Sequence, residues 1–222
     1  MIQSEILDRS PARIIDKALG GKMNPGELGI VASKRGVGKT SVLVQIAIDC
    51  MLQNKAVVHI SFNQQASYVM EWYEDIFAEI AQKKNLGDVS DVKNEFAKHR
   101  VILNFNQEVI TIEKMAKTLR ALASSGINQD YVIIDGLNFN KLADDDLKKL
   151  KEFAAADGNS IWCSYDIETS DDVVPAKVAD QADILTIVSS KQGEILLEMT
   201  KLRDSNSPNV TAKLDSKTLL IQ

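Results

Sequence analysis

The 222-residue chain is poor in cysteine, proline and histidine, with two, four and two of each. Cys50 and Cys163 stand far apart and lack the spacing of metal ligands, so two reduced core thiols are expected rather than a zinc site or a disulfide framework. No apolar run approaches the roughly 18 residues a membrane helix needs, and no span is expected. The opening stretch MIQSEILDRSPAR carries early acids and no apolar h-region, which argues against a secretory signal and for a cytoplasmic protein. Basic charge is also short: 26 Lys and Arg stand against 31 Asp and Glu, a formal net charge of −5. Proteins that neutralise many nucleic-acid phosphates usually present a basic surface, so nucleic acid is not an expected partner. Repeats, low-complexity tracts and Pro/Ser-rich linkers are missing as well. With 45% hydrophobic and 26% charged residues, the composition is that of one globular domain spanning 1–222, with residues 1–22 as an N-terminal helix and linker.

What is present is an alternation of periods. Residues 10–20, SPARIIDKALG, have a capping Ser10, Pro11 in the first turn and Gly20 past the end, which predicts a short helix. The apolar LGIVAS predicts a strand, 40–54 a helix, and 56–62 a second strand. From Ser67 a helical stripe of Val69, Trp72, Tyr73, Ile76, Phe77 and Ile80 follows, with Trp72 and Tyr73 read as core. A polar helix over 89–98, the strand RVILNF, a helix through Ile112, Met115, Ala116, Leu119 and Leu122, the strand DYVIID, the helix DDDLKKLKEFAAA and the strand NSIWCSY complete the alternation. His59, inside an apolar strand, is read as a buried structural residue. After Pro175 a helical turn leads into four consecutive strands, DILTIVSS, GEILLEMTKLR, NVTAKLD and KTLLI. The pattern predicts an α/β fold: a mainly parallel sheet flanked by helices, with a C-terminal antiparallel extension.

The chemistry concentrates where LGIVAS runs into SKRGVGKTS and an apolar helix. A strand, a glycine-containing loop and a helix beginning at Lys-Thr form the setting of a P-loop. Gly36 and Gly38 let successive backbone N–H groups turn toward phosphate oxygens, and the helix N-terminus adds its positive dipole end. Ser33, Lys34, Arg35, Gly36, Val37, Gly38, Lys39, Thr40 and Ser41 are therefore the candidate nucleotide-binding residues. Ser33 departs from the motif, which begins with glycine. Lys39 is expected to reach the β- and γ-phosphates, and the Thr40 hydroxyl to hold Mg²⁺. DYVIID supplies the matching acid: Asp135, at a strand end some 95 residues on, is expected to hold the same ion through water.

At these residues the chain resembles the RecA-type P-loop ATPases, and within them the DnaB-type replicative helicases and the KaiC-type ATPases. The resemblance runs from about Gly20 to the C-terminus. It rests on GGKMNPGELGIVASKRGVGKT, VVHISFN, YVIIDGLNF, QADILTIV and MTKLRDSNSPN, and implies a RecA-like core with ATP and Mg²⁺ as ligands. In MTKLRDSNSPN it implies that Lys201 and Arg203 reach into a neighbouring subunit's site to stabilise the transferring phosphate, so a homo-oligomer or a partner protein would complete the site. The residue-level alternative is two strand positions, i and i+2, that share a face.

One family residue is missing. The catalytic glutamate of the family follows the second strand, where this chain has SFNQQ, with Asn63 at the matching position and Gln64 beside it. An amide orients a water but cannot accept its proton. Slow or regulated hydrolysis is the leading expectation, and a non-hydrolysing ATP-dependent switch or scaffold the alternative. Asp166 or Glu168 after a later strand is a lesser candidate for the lost base. The resemblance also implies pore-lining loops, yet YDIETSDDVVPAK carries Asp166, Glu168, Asp171 and Asp172 before Lys177. Acids there would repel a phosphate backbone, and the helicase's primase-binding N-terminal domain has no counterpart. A DNA-acting motor or loader is accordingly the least favoured reading.

Overall fold

The computed structural model describes residues 10–83, 85, 87–168 and 173–222. The expected alternation is present. Helix α1 (Pro11–Leu19) starts on the Ser10 side chain, which accepts from the Ala12 N–H at 3.1 Å, and ends on Gly20 at φ 69°. Strand β1 (Leu28–Ser33) leads to α2 (Lys39–Leu52), β2 (Val57–Ser61), α3 (Ala66–Lys83), α4 (Ser90–Ala97) and β3 (Arg100–Asn104). Then come α5 (Ile112–Ser124), β4 (Tyr131–Asp135), α6 (Asp146–Asp157), β5 (Ser160–Asp166) and the short α7 (Ala176–Ala179). Strands β6 (Ile184–Lys191), β7 (Glu194–Leu202) and β8 (Ser205–Leu214) close the chain.

These strands form one eight-stranded sheet in the order β3-β2-β4-β5-β1-β6-β7-β8. The first six are parallel, and β7 and β8 add to the edge as antiparallel hairpins. The turn between β6 and β7 is Gln192-Gly193, both at positive φ, as a tight hairpin requires. Connections that move toward β3 carry α2, α3 and α4 on one face of the sheet, and those that move the other way carry α5, α6 and α7 on the opposite face. Reversing direction and face together keeps one crossover handedness throughout. Each layer has its own core, and β1 between them is buried along its whole length.

Helix α2 is buried from Ser41 to Leu52, which explains why its sequence is apolar on all sides rather than striped. Close packing reaches the backbone at Gly29, where a Cβ would stand 2.4 Å from the Trp162 ring. Arg13 ties α1 to α2 through Asp49 at 3.1 Å, and burial raises the pKa of that carboxyl against the pull of Arg13. Both cysteines are buried and free. Among the described residues no helix is long and apolar enough to cross a membrane.

Two expectations are corrected. Tyr73 is fully buried as read, but Trp72 is 38% exposed. The buried stripe of α3 runs 69, 73, 76, 77 and 80, and successive residues lie 100° apart, so Trp72 falls on its flank. KTLLI is not a strand: Asp215 draws in the N–H groups of Lys217 and Thr218, Leu219 takes φ 58°, and a single bridge joins Leu214 to Ile221.

Candidate functional site

The sheet order places the ends of β1, β5, β4 and β2 side by side. Strands β2 and β4 are neighbours whose connections leave in opposite directions, and ligands of open α/β sheets bind at the carboxyl edge of such a switch point. The residues singled out in the sequence gather along this edge, with the exception of Lys201 and Arg203.

Beyond the buried Ser33, the loop turns through Gly36 at φ 79° and Gly38 at φ 123°, backbone conformations that strain any residue with a side chain. Gly38 occupies the cap position of α2 without a side-chain cap, which leaves the first N–H groups of the helix turned to the loop. The loop's floor comes from the end of the chain: a Cβ on Gly38 would stand 2.5 Å from Leu219 Cδ1, and Gln45 Nε2 donates to the Leu219 carbonyl at 2.9 Å. The Ser41 hydroxyl faces Gln45 as well, at 3.3 Å. The N–H groups of Thr218 and Lys217 hold Asp215, the residue that shapes this tail, down to a pKa of about 2.

Thr40 and Asp135 meet. The Thr40 hydroxyl donates to Asp135 Oδ2 at 2.8 Å, and Asp135 is 2% exposed. A hydroxyl and a carboxylate in contact make a set of hard oxygens that suits Mg²⁺. Asn63 comes to the same place by a different route. Gly136, at φ 78°, follows Asp135, and a Cβ there would stand 2.5 Å from Asn63 Cγ. Ser61 Oγ accepts from the Gln64 N–H at 3.1 Å, while Asn104 Nδ2 donates to the carbonyls of Ser61 and Gln64 at 3.1 and 2.6 Å. These contacts fold SFNQ back over the end of β4. The Gln64 Oε1 atom is buried without a hydrogen-bond partner, and Asn63, Gln64, Gln65, Tyr68 and Trp72 line an open groove of 560 Å³ beside the site.

Lys39 is engaged by an acid. Its Nζ lies 2.6 Å from Asp166 Oδ1 and 3.4 Å from the Ser33 carbonyl, the Ser33 hydroxyl and the Lys34 carbonyl. Arg35 Nε approaches Asp166 Oδ2 at 3.4 Å. Asp166 is brought there by register, because it pairs with Ser33 across β5 and β1. The sequence gives it only as a spare base or a pore-loop acid. Nothing in a linear reading signals that the strand ending in Asp166 lies next to the strand that leads into the glycine loop. Asp171 and Asp172, read as acids of the same loop, lie outside the described residues.

Lys201 and Arg203 are elsewhere, near the opposite edge of the sheet. Lys201 Nζ donates to the carbonyls of Ala179 and Asp180 at 3.0 and 3.2 Å, at the end of α7. Arg203 pairs with Glu27 through Nε at 2.6 Å and Nη2 at 3.2 Å, and donates to the carbonyls of Lys22 and Leu19. Arg203 sits in the β7–β8 turn at φ 51°, so the two do not share a strand face. His59 is buried, with Nδ1 2.9 Å from the Tyr73 hydroxyl. Burial pushes its pKa down to about 4 despite the nearby Asp135 carboxylate, which makes it a neutral core residue at pH 7.

No protein-family model matches the chain, and no curated protein matches it.

Proposed function

We propose that the chain is a cytoplasmic RecA-type P-loop protein that binds Mg-ATP and hydrolyses it slowly or under the control of a partner. The observation that carries this reading is the 2.8 Å contact between Thr40 and Asp135, residues 95 apart in sequence, at the mouth of a glycine-turned loop that presents Lys39. A chance Gly-rich loop has no reason to bury a carboxylate against the hydroxyl that follows its lysine. The choice of ATP follows the resemblance to the RecA-type family.

The roles follow from the chemistry of the side chains. Backbone N–H groups of residues 34–41 would face the phosphates, and Lys39 would neutralise charge on the β- and γ-groups. Thr40 would hold Mg²⁺ directly and Asp135 through water, and the ion would supply positive charge against the charge that develops on the phosphates. Asn63, resting on Gly136 beside Asp135, and its neighbour Gln64 would orient a water and leave its proton without an acceptor. Loss of a general base lowers a rate by a factor on the order of 10²–10⁴. The packing of Asn63 against Gly136, beside Asp135, therefore also supports a second reading, a switch in which bound ATP stabilises an assembly and is not turned over.

A neighbour's Lys201 and Arg203 would complete the site in an oligomer, and Arg203 would have to leave Glu27 to do so. The test is steady-state ATP hydrolysis per subunit, with magnesium, over a wide range of protein concentration, with bound nucleotide measured in parallel. Specific activity that climbs with concentration supports a shared site. Zero turnover with retained nucleotide supports the switch, and neither binding nor turnover overturns the reading.

A further inference from the structure

We propose that Asp166 is a specificity-determining residue of this site: its carboxylate takes the place of a phosphate oxygen on Lys39, and it sets how strongly the site favours a diphosphate over a triphosphate. The inference rests on the nucleotide-binding reading and names what tunes it.

The geometry singles out Asp166 among the partners of Lys39. It is the charged one and the nearest, at 2.6 Å, while the three neutral oxygens stand at 3.4 Å. The Lys39 side chain is 11% exposed and that of Asp166 40%, so water screens the pair from the carboxylate side only. The other carboxylate oxygen faces Arg35, so two of the cations on this loop converge on one acid. Asp166 is also anchored. It lies opposite Ser33 in the β1–β5 ladder, and the next residue, Ile167, donates its N–H to the Ser33 carbonyl at 2.9 Å. The backbone of Asp166 cannot move away without opening the sheet beside this loop, so its carboxylate leaves Lys39 only by rotating about its own side-chain bonds.

A phosphate that approaches Lys39 must therefore compete with a carboxylate already bound there. Once displaced, Asp166 stays close to the phosphates, anion beside anion. The repulsion grows with the charge delivered near Lys39, and a triphosphate delivers more of it than a diphosphate. The same contacts argue against Asp166 as the missing base. Both of its oxygens are already turned to cations, Oδ1 to Lys39 and Oδ2 to Arg35, rather than to a water. Its effect is on binding rather than on proton transfer.

The test is calorimetric binding of Mg-ADP and of a non-hydrolysable Mg-ATP analogue to the full chain, as wild type, Asp166→Asn, Asp166→Ser and Lys39→Ala. Removing the charge is expected to tighten the triphosphate analogue about threefold to tenfold more than the diphosphate, and Lys39→Ala to weaken both. The triphosphate-to-diphosphate ratio is the readout, because a purely structural role would move both ligands together. A wild type that binds, beside two folded Asp166 variants with an unchanged ratio, overturns the role of Asp166 and leaves nucleotide binding standing. Binding by the variants and not by the wild type supports it in its strongest form. No binding by any of the proteins overturns this inference and the reading beneath it together.

Discussion

The two ends of the central sheet use the same side chains in opposite ways. At the amino end, acids lock backbone in place. Asp183 accepts from the Leu28 N–H at 2.7 Å and pairs with Lys151. Asp130 accepts from the Ala56 N–H at 2.8 Å and pairs with Lys55, and Glu27 accepts from the Asn24 N–H while holding Arg203 by two bonds. Each of these three carboxylates has both a backbone and a cationic partner. At the carboxyl end the acids meet side chains alone: Asp135 faces Thr40, and Asp166 faces Lys39 and Arg35. Side-chain partners exchange by rotation, whereas backbone partners exchange only if the fold opens. The difference separates charges that build the protein from charges that are free to meet a ligand, although both sets look alike in a list of ion pairs.

Substitutions at either end test that division. The largest effect is expected from Asn63→Glu, which restores a proton acceptor beside Asp135. Single-turnover hydrolysis should rise on the order of 10²- to 10⁴-fold, and no rise would mean that the carboxyl end is built as a switch. Next is Lys39→Ala. Equilibrium titration should show nucleotide affinity falling about tenfold to a hundredfold, with the thermal midpoint little changed, since a charge-assisted bond to phosphate is lost and no backbone is released. Arg203→Ala should do the reverse, lowering stability by about 1–3 kcal/mol in denaturant melts while nucleotide affinity of the monomer holds. A loss of affinity there without a loss of stability would dissolve the contrast between the two ends.

The smallest effect concerns acid. Burial alone would raise the pKa of Glu27, but hydrogen bonds from Arg203 and Asn24 outweigh it and hold the group below its ordinary value. A carboxyl with a lowered folded pKa contributes stability above the unfolded value, about 4.3 for glutamate, and loses it as the pH falls through the folded value. Melts of the wild type should therefore weaken below that point, and Glu27→Gln should flatten the slope.

How much of this was legible in the sequence depends on how local the cause is. Ser10, Pro11 and Gly20 delimit α1 because capping acts within a turn, and Gln192-Gly193 fixes its hairpin for the same reason. The strand–glycine loop–helix unit and the strand ending in Asp135 were legible because their residues follow one another along the chain. The Asp166–Lys39 pair was not, because it depends on β5 lying beside β1, which is decided by how the strands order themselves in the sheet. Arg203 was hidden likewise: its partner Glu27 is 176 residues away in sequence. KTLLI has the composition of a strand, yet Asp215 turns the chain before a ladder can form. Trp72 was misplaced by a single step of the helix.

That step has an optical consequence. The chain has two tryptophans. Trp162 lies in the sheet at 2% exposure with its ring over Gly29, and Trp72 stands 38% exposed on the wall of the groove that begins at Asn63. A water-borne quencher reaches the second and not the first. The quenchable part of the emission therefore reports on the surface beside the amides, and the protected part on the integrity of the sheet, so one cuvette separates occupancy from unfolding without an added label.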